Sequence, residues 1–142
     1  MSRNHDGAFQ TLHEIVRAAR LNLGQGPWDY LVGGTESETT LKRNRRALDA
    51  LAFRPRVLRD VSHVDAAAGL LGRKVRLPVF LAPVGTLEAF DPAGAVASAK
   101  AAGEFGIAQM LSSATQPGLE AVAAAAPDTQ RLYQYYVPGE GP

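Results

Sequence analysis

Two short apolar runs joined by one helical repeat constrain this chain more than any other feature. Val79-Phe80-Leu81 is stopped by Ala82-Pro83, and Ile107 to Leu111 is stopped by Ser112-Ser113. Between them lies a loop with Gly85, Asp91 and Pro92. Then Ala93 to Glu104 places Ala95, Val96, Ala99 and Ala102 at helical spacing, and Gly106 closes the helix. The two apolar runs are short and flank a single helix. They read as a strand–helix–strand unit, the building block of parallel sheets buried on both faces. Ligands of such sheets bind at the carboxyl ends of the strands, so Pro83, Val84, Gly85, Ser112 and Ser113 are the first candidates for a site.

The pattern repeats once more. SATQPGLEAVAAAAPD gives loop, helix and stop, with Leu119, Val122 and Ala126 on one stripe. Arg131 to Val137 is rich in β-formers and reads as a third strand. Upstream, Leu12, Ile15, Val16, Ala19 and Leu23 mark a helix over Ala8 to Leu23. Pro27 to Val32 reads as a short second helix and Thr39 to Leu51 as a third, ended by Arg54-Pro55. Leu70 to Val75 reads as a hairpin turning at Gly72. Met1 to Gly7 reads as a disordered tail, leaving 8–142 as one domain segment.

Composition narrows the partners. With 15 basic and 14 acidic residues the chain has no field to draw nucleic acid or an anionic membrane. The basic cluster Lys42, Arg43, Arg45, Arg46, Arg54, Arg56 and Arg59 has no aromatic interleaving and reads as a solvated or ion-paired surface. Without cysteine there is no disulfide, thiolate metal site or cysteine nucleophile, and no metal-ligand motif stands out. The polar start MSRNHDGAFQ shows no secretory signal, and no apolar run nears the roughly 20 residues of a spanning helix, so a cytoplasmic protein is expected.

Three parallel strands with crossover helices are the opening of a (β/α)8 TIM barrel, which needs about 250 residues. Alone they leave two open edges and partly exposed apolar faces. The expected fold is therefore α/β: the N-terminal portion of such a barrel, preceded by helices and a hairpin. The chain is expected to belong to a larger protein, or to associate with a missing C-terminal part or with copies of itself.

Four segments then carry a family resemblance: WDYLVGGTESETTLKRNRRALDALAFRPRVLRDVSHVD, LLGRKVRLPVFLAPVG, MLSSATQPGLEAVAAAAP and YQYYV. In order and spacing they resemble the N-terminal part of the FMN-dependent α-hydroxy acid oxidases and dehydrogenases, the group of glycolate oxidase, lactate oxidase and mandelate dehydrogenase. The resemblance covers about Ala8 to Val137. Another flavin barrel, a type 2 isopentenyl diphosphate isomerase, fits less well, because the RPR.L.DVS run and the position of Tyr136 favour the hydroxy acid group.

The resemblance implies an FMN cofactor and oxidation of a small 2-hydroxy acid to a 2-keto acid by hydride transfer to flavin N5. It implies that Pro83, Val84 and Gly85 lie with their backbone against the flavin ring, and that Ser112 bonds the ring. Gln134 would meet the polar pyrimidine edge, where an amide can both donate and accept. Tyr30 would help hold the substrate carboxylate and Tyr136 would face the substrate. On one strand Gln134 and Tyr136, two apart, would share a face. Read without the resemblance, these residues are a packed helix tyrosine, a strand-ending turn, a serine pair and a strand surface.

There are departures. Ala114 stands where an aromatic residue is frequent in the family, which reshapes the substrate pocket. Leu87 to Asp91 lacks a histidine frequent there, and Tyr135 replaces an aliphatic. The family's base histidine, carboxylate-binding arginine, flavin-stabilising lysine and phosphate site all come later in the barrel. His5, His13 and His63 match none of them. The chain is thus expected to be inactive alone, with a noncatalytic truncated or associating chain as the alternative.

Overall fold

The computed structural model describes residues 9–137 and 139 of the chain. The expected tail, His5 and the end of the chain beyond 139 lie outside the described residues. The chain divides at Arg59 and Asp60 into two units.

The first unit is helical, with α1 (Leu12–Asn22), α2 (Gln25–Val32) and α3 (Thr39–Asp49). Thr11 caps α1 in a capping box with Glu14, whose carboxylate accepts the Thr11 N–H at 3.2 Å while Thr11 Oγ1 accepts the Glu14 N–H at 3.4 Å. The T-x-x-E signature was present in the sequence at residues 11–14; the helix begins at Leu12, where its apolar stripe begins, and not at Ala8 as expected. The Arg20 guanidinium lies over the Trp28 ring, 5.3 Å from its centroid. On α3, Arg45 pairs with Asp49 at 2.7 Å. No residue of these three helices is buried.

The second unit begins with a coil and a two-stranded antiparallel hairpin, β1 (Ala68–Leu70) and β2 (Arg73–Val75). Its turn is Leu71-Gly72, both at positive φ, as the glycine foretold. Then come β3 (Phe80–Leu81), a single 3-10 turn at Leu87–Ala89, α4 (Ala95–Phe105), β4 (Ala108–Leu111), α5 (Leu119–Ala125) and β5 (Arg131–Tyr133). The sheet is parallel in the order β3-β4-β5, with Leu81 opposite Gln109 and Leu111 opposite Tyr133. These are consecutive βα units forming an open sheet, not a closed barrel.

The core lies between the sheet and its helices. Leu111, Ala95, Ala99, Val122 and Ala126 form it, with Leu87 and Val96 packed against them. Small residues on α4 let the helix sit close to β4. Gly94, at φ +51°, leads into the helix, and a Cβ there would run into the Gln116 carbonyl oxygen. Gly106, at φ +81°, ends the helix in a left-handed cap. Gln109 is the surprise of the apolar run. It is buried on the helix side of β4, where its Nε2 donates to Ser98 Oγ at 2.7 Å.

Phe80 and Leu81 on the edge strand β3 are exposed, so the expected burial on both faces does not hold at that strand, while the central β4 is buried at Ala108, Gln109 and Leu111. The hairpin sits at the amino ends of the strands. Gln130 Nε2 donates to the Leu70 carbonyl at 2.8 Å, and the Arg76 N–H donates to the Gly106 carbonyl at 2.8 Å. That leaves the carboxyl ends free of it.

Candidate active site

The loops at the carboxyl ends of three neighbouring parallel strands gather most of the expected residues. Pro83, Val84 and Gly85 follow β3, Ser112 follows β4, and Gln134 follows β5. Because β4 is the central strand, Ser112 stands between the other two groups. Gln134 keeps the line of β5 by donating its N–H to the Leu111 carbonyl at 2.9 Å. By strand parity it falls on the face of Leu132, which lies opposite Met110.

One expectation needs correction. The third strand ends at Tyr133, not at Val137, so the shared face of Gln134 and Tyr136 cannot be argued from a strand. The backbone bond at Gln134 is the last one β4 can offer, since β4 itself stops at Leu111 and its chain turns away at Ser112. Tyr135 and Tyr136 lie past it and are exposed. Tyr30 is on α2 in the helical unit, exposed at 65%. Within the second unit the structure brings Pro83, Val84, Gly85, Ser112 and Gln134 to one end of the sheet; Tyr136 follows two residues after Gln134, and Tyr30 belongs to the other unit.

The grouped residues supply a particular set of hydrogen-bonding atoms. Among the described residues, the N–H groups of Val84 and Gly85 and the side-chain amide of Gln134 have no hydrogen-bond partner. Ser112 is buried, and its Oγ accepts the Ala114 N–H at 3.1 Å, which leaves its own proton to donate. Two backbone donors, one hydroxyl and one amide on a sheet edge suit the rim of a planar heterocycle with alternating acceptors and donors, such as the isoalloxazine ring of FMN.

Three residues that sequence reading passed over tie these loops together. Glu88 Oε2 accepts the Thr115 hydroxyl at 3.0 Å and the Gln116 N–H at 2.9 Å. Thr115 Oγ1 in turn accepts the Leu87 N–H at 3.0 Å, and the Thr86 N–H donates to the Ala114 carbonyl at 2.8 Å. The Gln116 N–H first and then the Glu88 N–H hold the Glu88 carboxyl below its ordinary value; desolvation opposes them, and the Thr115 hydroxyl adds the least. Partners 27 and 28 residues apart give no local signal, so only the fold could reveal them.

Among the described residues no cluster of three or more His, Asp and Glu side chains could hold a metal, and no helix is long and apolar enough to cross a membrane. His13 is on α1, and His63 is in the coil before β1. Neither belongs to the loops at the carboxyl ends of the strands.

Comparison with known proteins agrees with the geometry. A family model described as FMN-dependent dehydrogenase matches residues 19–141. Glycolate oxidase 1 of Oryza sativa subsp. indica is 37% identical over 131 residues, 92% of this chain and 35% of that protein. Glycolate oxidase of Spinacia oleracea is 35% identical over 126 residues, 89% of this chain and 34% of that protein. Among solved structures, mandelate oxidase with 3,3-difluoro-2-hydroxy-3-phenylpropionic acid superposes with a TM-score of 0.84 at 34% identity, over 90% of this chain and 38% of that one. A mandelate oxidase mutant with the C4a-OH-FMN adduct gives 0.81 at 33% identity, over 87% of this chain and 37% of that one. The chain spans about a third of the length of the curated relatives it matches.

Proposed function

From the premise that this chain belongs to the FMN-dependent dehydrogenase family, we propose that it supplies the N-terminal part of an enzyme oxidising a small 2-hydroxy acid to a 2-keto acid, with FMN as cofactor. The observation that carries this reading is the meeting of Pro83–Gly85, Ser112 and Gln134 at the carboxyl ends of adjacent parallel strands. That is where barrels of this architecture place their chemistry.

Bound FMN supplies the two-electron acceptor. The chain's own residues do the holding. The Val84 and Gly85 N–H groups donate to the ring edge, and their small neighbours let it approach closely. Ser112 donates its hydroxyl proton from a position fixed by the Ala114 N–H. Gln134 donates and accepts at the pyrimidine edge, with its backbone fixed to Leu111. Tyr136 and Tyr30 are assigned to the substrate, as phenolic donors to its carboxylate. Removing the substrate's hydroxyl proton requires a base near neutral pKa. Backbone amides, a serine, a glutamine and phenols do not provide one, so proton removal falls to a group outside these residues. Relatives named as glycolate and mandelate oxidases point to glycolate-like or mandelate-like substrates. A cytoplasmic setting goes with this reading.

The test is an FMN titration of the chain followed by amide NMR. The expected result is that FMN shifts the amides of Val84, Gly85, Ser112 and Gln134, and that adding glycolate, lactate or mandelate does not bleach the flavin. Shifts confined to the hairpin end of the sheet would overturn the site assignment. Bleaching by the chain alone would overturn the division of labour.

A further inference from the structure

The cofactor contacts proposed above sit on two separate loops, and something must hold those loops in register. The loop after β3 and the loop after β4 share no strand pairing beyond Leu81 and Gln109. Past that point the connection is a short ladder of mixed bonds: Thr86 N–H to Ala114 carbonyl, Leu87 N–H to Thr115 Oγ1, and Thr115 hydroxyl and Gln116 N–H to Glu88 Oε2. Proton counting fixes its direction. Thr115 has a single hydroxyl proton and gives it to Glu88, because an ionised carboxylate only accepts, while the Thr115 oxygen accepts from Leu87. The Glu88 oxygen accepts two donors at once, which an ionised carboxylate does best.

The ladder continues to both ends of the site. Ala114, whose carbonyl takes the Thr86 N–H, also donates to Ser112 Oγ and so orients that hydroxyl. Gln116, bound to Glu88 through its N–H, gives its carbonyl to the Ala95 N–H at the start of α4. One carboxylate therefore links the segment next to Gly85, the segment next to Ser112 and the packed helix behind them.

We propose that Glu88 is a positioning residue, whose carboxylate locks the β3 loop to the β4 loop so that the Val84 and Gly85 amides and the Ser112 hydroxyl meet one ring at the same time. The cofactor half of this statement rests on the function proposed above; the lock itself does not.

The experiment compares the full chain with Glu88→Ala, Glu88→Gln and Thr115→Val by site-resolved amide exchange and by FMN titration. In Glu88→Ala the Leu87 and Gln116 amides are expected to exchange about tenfold faster or more, with Ala99 and Ala102 unchanged, and FMN to bind about tenfold more weakly. Glu88→Gln keeps an acceptor oxygen and is expected to restore most of both. Thr115→Val opens the ladder from the other loop at constant volume, and keeps the test valid should Glu88→Ala fail to fold. Wild-type exchange at Leu87 and Gln116 in the folded Ala or Val variant would overturn the lock. Loosened loops with undiminished FMN affinity would overturn its positioning role. A wild-type chain that binds no FMN counts against the cofactor reading, while the exchange data still decide the lock.

Discussion

The two units of this chain use the same kind of apolar patterning and obtain opposite results from it. Both carry stripes at helical spacing. In residues 60–142 the stripes of α4 and α5 meet a sheet, and Leu111 is left 1% exposed. In residues up to 59 the stripes of α1 and α3 stay open, and Leu48 is 63% exposed. Fully burying one such side chain contributes about 1.5–3 kcal/mol, so the second unit has a source of stability that the first lacks. The helices of the first unit have 8 to 11 residues, while isolated helices shorter than about 12–15 residues are marginal in water. Local devices such as the Thr11 box, the Arg20–Trp28 stack and the Arg45–Asp49 pair add small increments only. Amphipathic helices mark a surface meant to be covered; they do not say whether this chain covers it.

The largest effect should separate the units outright. Leu111→Ala is expected to cost about 2–5 kcal/mol in chemical denaturation, whereas Leu48→Ala should stay within about 0.5 kcal/mol. Equal losses at the two sites would break the contrast. A pair of glycines sharpens it. Gly94→Ala, at a left-handed φ and against the Gln116 carbonyl, should destabilise the second unit by about 1–3 kcal/mol. Gly26→Ala, inside α2 with open space around it, should raise helicity in circular dichroism, a gain of about 0.5–1 kcal/mol in helix propensity. Gly94→Ala without a thermal shift would mean that the α4 entry is more yielding than its packing suggests.

The smallest effect is electrostatic and confined to the mouth of the second unit. The Glu88 carboxyl is held below its ordinary value of 4.5, chiefly by the Gln116 N–H. A depressed carboxyl contributes stability that is fully present above its unfolded value and fades as pH falls through its folded value. Protection of the Gln116 amide, corrected for intrinsic exchange, should therefore decline in acid below pH 4.5. Glu88→Gln should flatten that decline, and α4 should not follow it. A decline of equal size in Glu88→Gln would assign it to another group.

How far each feature was legible follows the range of its cause. Gly72 and Gly106 marked the turn and the helix end because their positive φ is a property of one residue. The strand stops at Pro83 and Ser112 were equally readable. The Thr11–Glu14 box was readable too, since its two partners lie three residues apart. Gln109 was hidden because nothing near it in sequence shows that Ser98 would face it across a helix and a strand. The early end of β5 was hidden as well, because a strand lasts only as long as its neighbour offers ladder bonds.

By itself, the sequence determined the succession of helices, hairpin and βα units, the strand stops, and the family. Those follow from spacing, turn chemistry and short motifs, which act between residues close along the chain. Only the tertiary structure decided which apolar stripes are covered, that Gln109 is buried, and that Glu88 joins Thr115 and Gln116. Burial and hydrogen-bond partnership depend on groups brought together from distant parts of the chain, and no local pattern specifies them.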